Sequence, residues 1–240
     1  MALPKLDTPT YEIELPLSKK KIKYRPFLVK EQKNLLMAME AKEADSINNV
    51  VKDILNNCTL TEGIEIDKLP IIDVEYYFIN LRAKSVGEVV EAKYRCNNEV
   101  DGNNCNNLME TQVDLTKIQP TNNEISPEIS ITDKIIVKMK YPEFGVVKDS
   151  LNYDNITDLT FNMMASSIEY IYDGEQYHYA SEISHQELVE WIQNLNQKQF
   201  SQMEEFYANL PELKEKIDIT CNKCGYHHEI EVQGLENFFG

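Results

Sequence analysis

Four of the five cysteines in this chain of 240 residues fall in two places far apart in sequence, and no other feature constrains the fold as strongly. One place is Cys221-Asn222-Lys223-Cys224-Gly225, near the C-terminus; the other is Cys96 with Cys105. Each pair lies between two segments that read as β-strands. Tetrahedral zinc takes four soft ligands, and two cysteine pairs on hairpin tips can supply them. The tight Cys221-x-x-Cys224 loop lets both thiolates face one ion, and Gly225 supplies the permissive backbone needed just after it. Cys96 and Cys105 are separated by Asn97 to Asn104, a segment rich in Asn, Asp and Gly, so this pair serves if that segment loops out. The expectation is one structural Zn2+ held by Cys96, Cys105, Cys221 and Cys224, which forces the middle of the chain to fold back. The competing reading is a metal-free ribbon with reduced thiols. His227 or His228 could replace a ligand, but their place in an alternating strand reads as core or surface packing.

Charge narrows the function. The formal net charge is −16, from 40 acidic and 24 basic residues, which repels phosphate backbones and disfavours nucleic acid as a partner. Lys19-Lys20-Lys21 reads as a polar hairpin turn. No apolar run approaches the ~18–20 residues that cross a bilayer, so no membrane partner is expected. The start, Met1-Ala2-Leu3-Pro4-Lys5, has no apolar signal region, and Cys-x-x-Cys spacing without a leader points to metal rather than disulfides. The chain has no His-Glu-x-x-His, no Gly-rich phosphate loop and no Gly-x-Ser-x-Gly. An all-cysteine set leaves no open coordination position for catalysis. The expectation is a protein without enzyme activity.

Taken in order, Tyr11–Leu15 and Ile22–Tyr24 alternate as a hairpin with one buried face. A helix over roughly 28–41 follows, then a stripe of Ile47, Val50, Val51, Ile54, Leu55 and Cys58 at helical spacing. Cys58 reads as a small buried hydrophobe. Pro70 opens a third helix, with Ile71, Val74, Phe78 and Leu81 inward and Gly87 beyond its end. Strands over 88–95 and 108–115 flank the first cysteine loop. Residues 116–130 read as a polar linker, and 135–141 as a strand. A helix capped by Asn155 is expected to run to about Glu169. A hairpin turns at Asp173-Gly174, and Ser184 with Glu187 forms a capping box. Another helix carries Phe200, Met203, Tyr207 and Leu210, and a last hairpin holds Cys221 and Cys224. The fold class is α+β, with helices grouped around β-hairpins and a discontinuous two-knuckle zinc-ribbon element. The expected regions are 1–87, the two ribbons 88–115 and 214–233 closing together, and 131–213, interlocked as one body.

Binding hints are aromatic. The helix pair near 184–210 carries Trp191, Phe200, Phe206 and Tyr207 on a broad apolar face. One reading packs both helices on the core; the other docks a partner helix there. Phe238-Phe239, in a polar tail, is either a clamp onto the body or a contact for a neighbouring subunit.

Three stretches together carry a resemblance. They are Tyr24-Arg25-Pro26-Phe27-Leu28-Val29-Lys30-Glu31 entering a Leu/Met helix, Leu81-Arg82-Ala83-Lys84-Ser85-Val86-Gly87-Glu88 entering a cysteine knuckle, and the Trp191/Phe200/Phe206 helix pair closed by Leu210-Pro211. Along essentially its whole length the chain resembles the baseplate hub family of T4-like contractile-tailed bacteriophages, described as hub subunits or hub assembly chaperones. The resemblance implies a virion or morphogenesis protein made in the host cytoplasm, in or on the way to the tail baseplate. Its partners would be other hub and tail-tube initiation proteins and the tape-measure protein, with self-association left open. The chain departs from the family pattern at Cys96–Cys105, where relatives look like Cys-x-x-Cys. The alternative from another class is a zinc-ribbon adaptor for nucleic acid or transcription machinery.

Overall fold

Alternation at the N-terminus becomes an antiparallel hairpin in the computed structural model, which describes residues 7–41, 44–121, 125–146 and 155–234. Strands β1 (Tyr11–Glu14) and β2 (Lys21–Tyr24) pair Tyr11 with Tyr24 and Ile13 with Ile22. Leu15, Ile22 and Tyr24 are buried while Glu12, Glu14, Lys21 and Lys23 on the two strands stay in water. The turn is held from below by one side chain. Asp73, fully buried, accepts backbone N–H bonds from Leu17 and Ser18, each at 2.8 Å. A buried carboxylate needs such donors to offset its lost hydration.

Helices α1 (Val29–Ala41), α2 (Ala44–Cys58) and α3 (Ile71–Ser85) follow. At the start of α1, buried Glu31 accepts from the Leu28 N–H at 2.8 Å and from Arg25 Nη2 at 3.0 Å. Cys58 ends the α2 stripe inside the first core, and burial pushes its thiol up to about 11. That suits a small apolar filler and not a nucleophile.

Helix α3 is the shared wall of the molecule. Val74, Tyr77, Phe78 and Leu81 enter the first core with Leu15, Phe27, Ile54 and Leu55. Ile79 and Ala83, on another side, enter a second core with Val90, Val113, Leu115, Ile118, Leu213, Ile217 and Val232. Each large apolar side chain buried this fully contributes about 1.5–3 kcal/mol.

Two long ribbons leave that second core. In one, β3 (Val89–Arg95) pairs with β6 (Leu108–Asp114); in the other, β11 (Lys214–Thr220) pairs with β12 (His227–Gln233). A small hairpin, β4 (Glu99–Val100) with β5 (Asn103–Asn104), sits between β3 and β6.

A third core lies under a four-stranded antiparallel sheet of order β10-β9-β8-β7, made of β7 (Glu128–Ser130), β8 (Ile136–Met139), β9 (Ile168–Tyr172) and β10 (Tyr177–Tyr179). Helices α4 (Ile156–Ser166), α5 (His185–Gln193) and α6 (Gln197–Ala208) supply Met164, Leu188, Val189, Ile192, Met203 and Phe206 against Val137, Met139 and Ile171. Antiparallel sheets and grouped helices make the fold α+β.

The stretch expected as a linker is tied down where it is described. Ile118 is 1% exposed in the second core, the Thr121 N–H donates to Glu212 O at 2.9 Å, and Glu128–Ser130 is an edge strand. The helix expected to reach Glu169 ends at Ser166, because the Ser167 N–H turns back to Met163 and Met164 and Ile168 begins β9. Phe144 crosses from the following segment into the first core, with its N–H on Leu69 O at 2.9 Å.

Candidate metal centre

The four cysteines predicted from sequence meet at one point. Their Sγ atoms all lie within 4.8 Å of one another, with Cys96–Cys224 at 3.6 Å and Cys105–Cys221 at 3.8 Å. Cys96, Cys105 and Cys221 are buried and Cys224 is partly so. A tetrahedron with metal–sulfur bonds of about 2.3 Å has sulfur–sulfur edges of about 3.8 Å. The dimensions and the donor set therefore fit a zinc ion, which would polarise nothing here and would act by holding four thiolates together.

Both knuckles use the same backbone plan. In the second, the Cys221 N–H donates to Tyr226 O at 2.8 Å and the Gly225 N–H to Cys221 O at 2.8 Å. In the first, the Cys96 N–H donates to Asn107 O at 2.8 Å and the Asn106 N–H to Cys96 O at 3.1 Å. Gly225 (φ 72°) and Asn106 (φ 50°) occupy equivalent left-handed positions, which Gly and Asn tolerate best. The eight-residue separation resolves accordingly: Cys105 donates its N–H to Asn98 O at 2.8 Å, so Asn98 and Cys105 close the base of β4–β5. That hairpin turns at Asp101 (φ 52°) and Gly102 (φ 76°), the two consecutive positive angles of a type I′ turn. The first knuckle is thus a Cys-x-x-Cys loop with a complete hairpin spliced in before its second cysteine. The Asp101-Gly102 pair was the sequence signal for it.

The thiols are electrostatically unequal. Burial, with neighbouring thiols, pushes Cys96 up to about 12. Burial also acts on Cys221, but the backbone N–H groups of Cys224 and Lys223 outweigh it and bring this thiol down to about 6. A tetrad that already favours one thiolate is suited to a cation.

Of the two histidines, His228 is buried with Nε2 3.2 Å from Cys96 Sγ, outside the four sulfurs, and its ring stands edge-on to Tyr226 at 4.7 Å. His227 is exposed, with Nε2 3.5 Å from Asp218 Oδ1. Among the described residues, Asp218, His227 and Glu229 form another trio of ligand-type atoms; all three are solvated on the outer face of β11–β12.

The aromatic residues of α5 and α6 point largely inward. Phe206 is 5% exposed, and Tyr207 donates its hydroxyl to Met163 O at 3.0 Å while burial raises its ionisation far above the usual phenol range. Phe200 packs tilted against Phe161 with centroids 5.3 Å apart, and Trp191 lines a groove of about 360 Å³ with Ile135, Ile171, Asp173, His178 and Leu188. Phe238 and Phe239 lie outside the described residues. An aromatic surface not singled out from sequence lies across β9–β10. Tyr170, Tyr172, Tyr177 and Tyr179 share the side of the sheet opposite the third core, with ring centroids 4.8–6.2 Å apart, and Tyr177 and Tyr179 are 54% and 47% exposed. The strict alternation of Tyr170, Tyr172, Tyr177 and Tyr179 across the hairpin was the available clue.

Comparison with known proteins defines the class. The family model described as T4 bacteriophage base plate protein matches residues 8–240. The chain belongs to that family, and so is a phage baseplate protein, a constituent class of the virion tail whose members contact other baseplate proteins. No curated protein and no solved structure matches the chain. Among the described residues, no helix is long and apolar enough to cross a membrane.

Proposed function

We propose that this baseplate protein is a hub subunit or hub assembly chaperone of a contractile tail, acting without enzyme activity through contacts with other hub and tail-tube initiation proteins, the tape-measure protein among them. The observation that carries the reading is the family match over residues 8–240, which agrees with the three stretches quoted above. One zinc ion held by Cys96, Cys105, Cys221 and Cys224 serves as a structural staple; the fit of the sulfur spacings to tetrahedral dimensions supports it. Regions 1–87, the paired ribbons 88–115 and 214–233, and 131–213 work as one interlocked body. Phe144 in the first core and the Pro120–Leu213 bridge support this. The protein is made in the host cytoplasm.

Partner contact is assigned to the aromatic residues. Trp191, Phe200 and Tyr207 keep exposed area, with Phe206 buried beside them, and Phe238 and Phe239 extend the set. Tyr177 and Tyr179 add to it, since aromatic side chains are enriched where proteins meet.

Quantitative mass spectrometry of purified tails and of isolated hub intermediates tests the reading. Presence in hub intermediates at a fixed ratio is expected. Retention in finished tails then means subunit, and loss from them means chaperone. Absence from both would overturn the proposal.

A further inference from the structure

The sulfur atoms are not bare toward the protein, and the donors that reach them have a consistent direction. Asn98, in the first knuckle, points Nδ2 at Cys224 Sγ of the second at 3.6 Å. Asn107, also in the first knuckle, points Nδ2 at Cys221 Sγ at 3.5 Å and donates to Asn222 Oδ1 at 2.7 Å. His228, on β12, returns the contact with Nε2 3.2 Å from Cys96 Sγ of the first knuckle. Every one of these side chains sits on one ribbon and addresses a cysteine of the other. Lys223 adds a fourth crossing, from Nζ to Cys105 O at 3.1 Å. Cys105 Sγ receives no side-chain N–H among the described residues.

We propose that His228, Asn98 and Asn107 are positioning residues of the metal centre, donating crossed N–H···S hydrogen bonds that hold the two ribbons in ligating geometry and retain the ion. The inference rests on the zinc reading above. Four thiolates around a divalent cation leave a net charge of −2 in a mostly buried place, in a chain that is itself strongly acidic. Burying that charge is unfavourable unless donors share it. Hydrogen bonds to ligand atoms also fix their orientation, and losing one such partner typically lowers metal affinity about 10–100-fold. His228 is suited to the task because a metal-bound Cys96 accepts only, which places the imidazole proton on Nε2. The direction of the bonds carries a second consequence. Since each bridges the two ribbons, removing one loosens their docking as well as the metal.

The test uses the full-length protein loaded with one equivalent of zinc, and in parallel with cobalt(II) as a spectroscopic substitute. Zinc transfer to a chromophoric chelator is timed for wild type, His228→Leu, His228→Gln, Asn107→Ala and Asn98→Ala. His228→Leu, Asn107→Ala and Asn98→Ala are expected to release zinc about 10–100-fold faster, and His228→Gln, which keeps an N–H donor, to stay near wild type. In the cobalt form, the sulfur-to-metal charge-transfer band is expected to move to lower energy in the three donor-deleted variants, a change a purely structural role does not produce. Asn107 is only half-buried, so its variant remains informative if His228→Leu does not fold. Wild-type protein that takes up no zinc would overturn the staple and this inference together. Wild type that holds zinc tetrahedrally, with variants of unchanged release rate and spectrum, would overturn the inference alone.

Discussion

Removing the metal should destabilise the protein by an amount that follows from where the clasp sits in the chain. Cys105 and Cys221, whose sulfurs are 3.8 Å apart, are separated by 116 positions in sequence. A cross-link between them removes chain entropy from the unfolded state. For a loop of that length the loss is worth about 5 kcal/mol at room temperature. The unfolding entropy of a chain this size, at about 2.1 cal/mol/K per residue, is about 0.5 kcal/mol/K, so the melting temperature should fall by about 10 °C when zinc is withdrawn. Scanning calorimetry with and without chelator, under thiol reductant so that no disulfide replaces the metal, makes the measurement. Cys221→Ser should melt near the chelated wild type and should not respond to chelator. A fall of less than about 2 °C, with zinc shown by metal analysis to have left, would refute the reasoning: the cores would then hold the ribbons together unaided.

Other expectations follow from individual residues. Asp73→Ala strands the Leu17 and Ser18 N–H groups under the first hairpin and should lower the unfolding free energy in urea by about 2–4 kcal/mol, whereas a change below about 0.5 kcal/mol would show that water replaces the carboxylate. Burial, with Glu212 nearby, raises Glu75 to about 7 from an unfolded value of 4.5. The folded state therefore binds the extra proton, and stability falls as pH rises between those values. Glu75→Gln should match wild type near pH 4.5 and exceed it above pH 7 by about 3 kcal/mol; equal pH profiles for the two proteins would contradict this. Ser184→Ala and Asn196→Ala each remove a capping box and should each cost about 1 kcal/mol by the same urea titration.

What sequence revealed, and what it hid, divides along physical lines. The hairpins at Tyr11–Tyr24 and Tyr170–Tyr179 and the stripe ending at Cys58 were legible because each presents a single buried face, so a regular period survives. Helix α3 was placed correctly, yet its role as a wall between two cores was not visible, since burial on two sides blurs the stripe. Strand β7 escaped notice because three residues at a sheet edge, Glu128-Ile129-Ser130, carry too little alternation. The second capping box, Asn196 with Gln199, was not read from sequence, because Asn and Gln serve many other roles. The meeting of the four cysteines was legible, cysteines being scarce and paired. The donors around them were not, because Asn98 and Asn107 act across a gap of more than 100 positions that only the closed fold spans.

The position of β11 and β12 sets a timetable for biosynthesis. Leu213, Ile217 and Val232 are the last contributions to a core whose other members, from Ile79 to Ile118, leave the ribosome much earlier. Cys96 and Cys105 likewise wait for Cys221 and Cys224. Through most of translation the nascent chain therefore carries an open apolar seam and two unpaired thiols, and final consolidation begins only as the C-terminal hairpin emerges. A premature stop before that point releases a chain that cannot seal its second core, and such fragments should be prime targets for proteolysis in the infected cell.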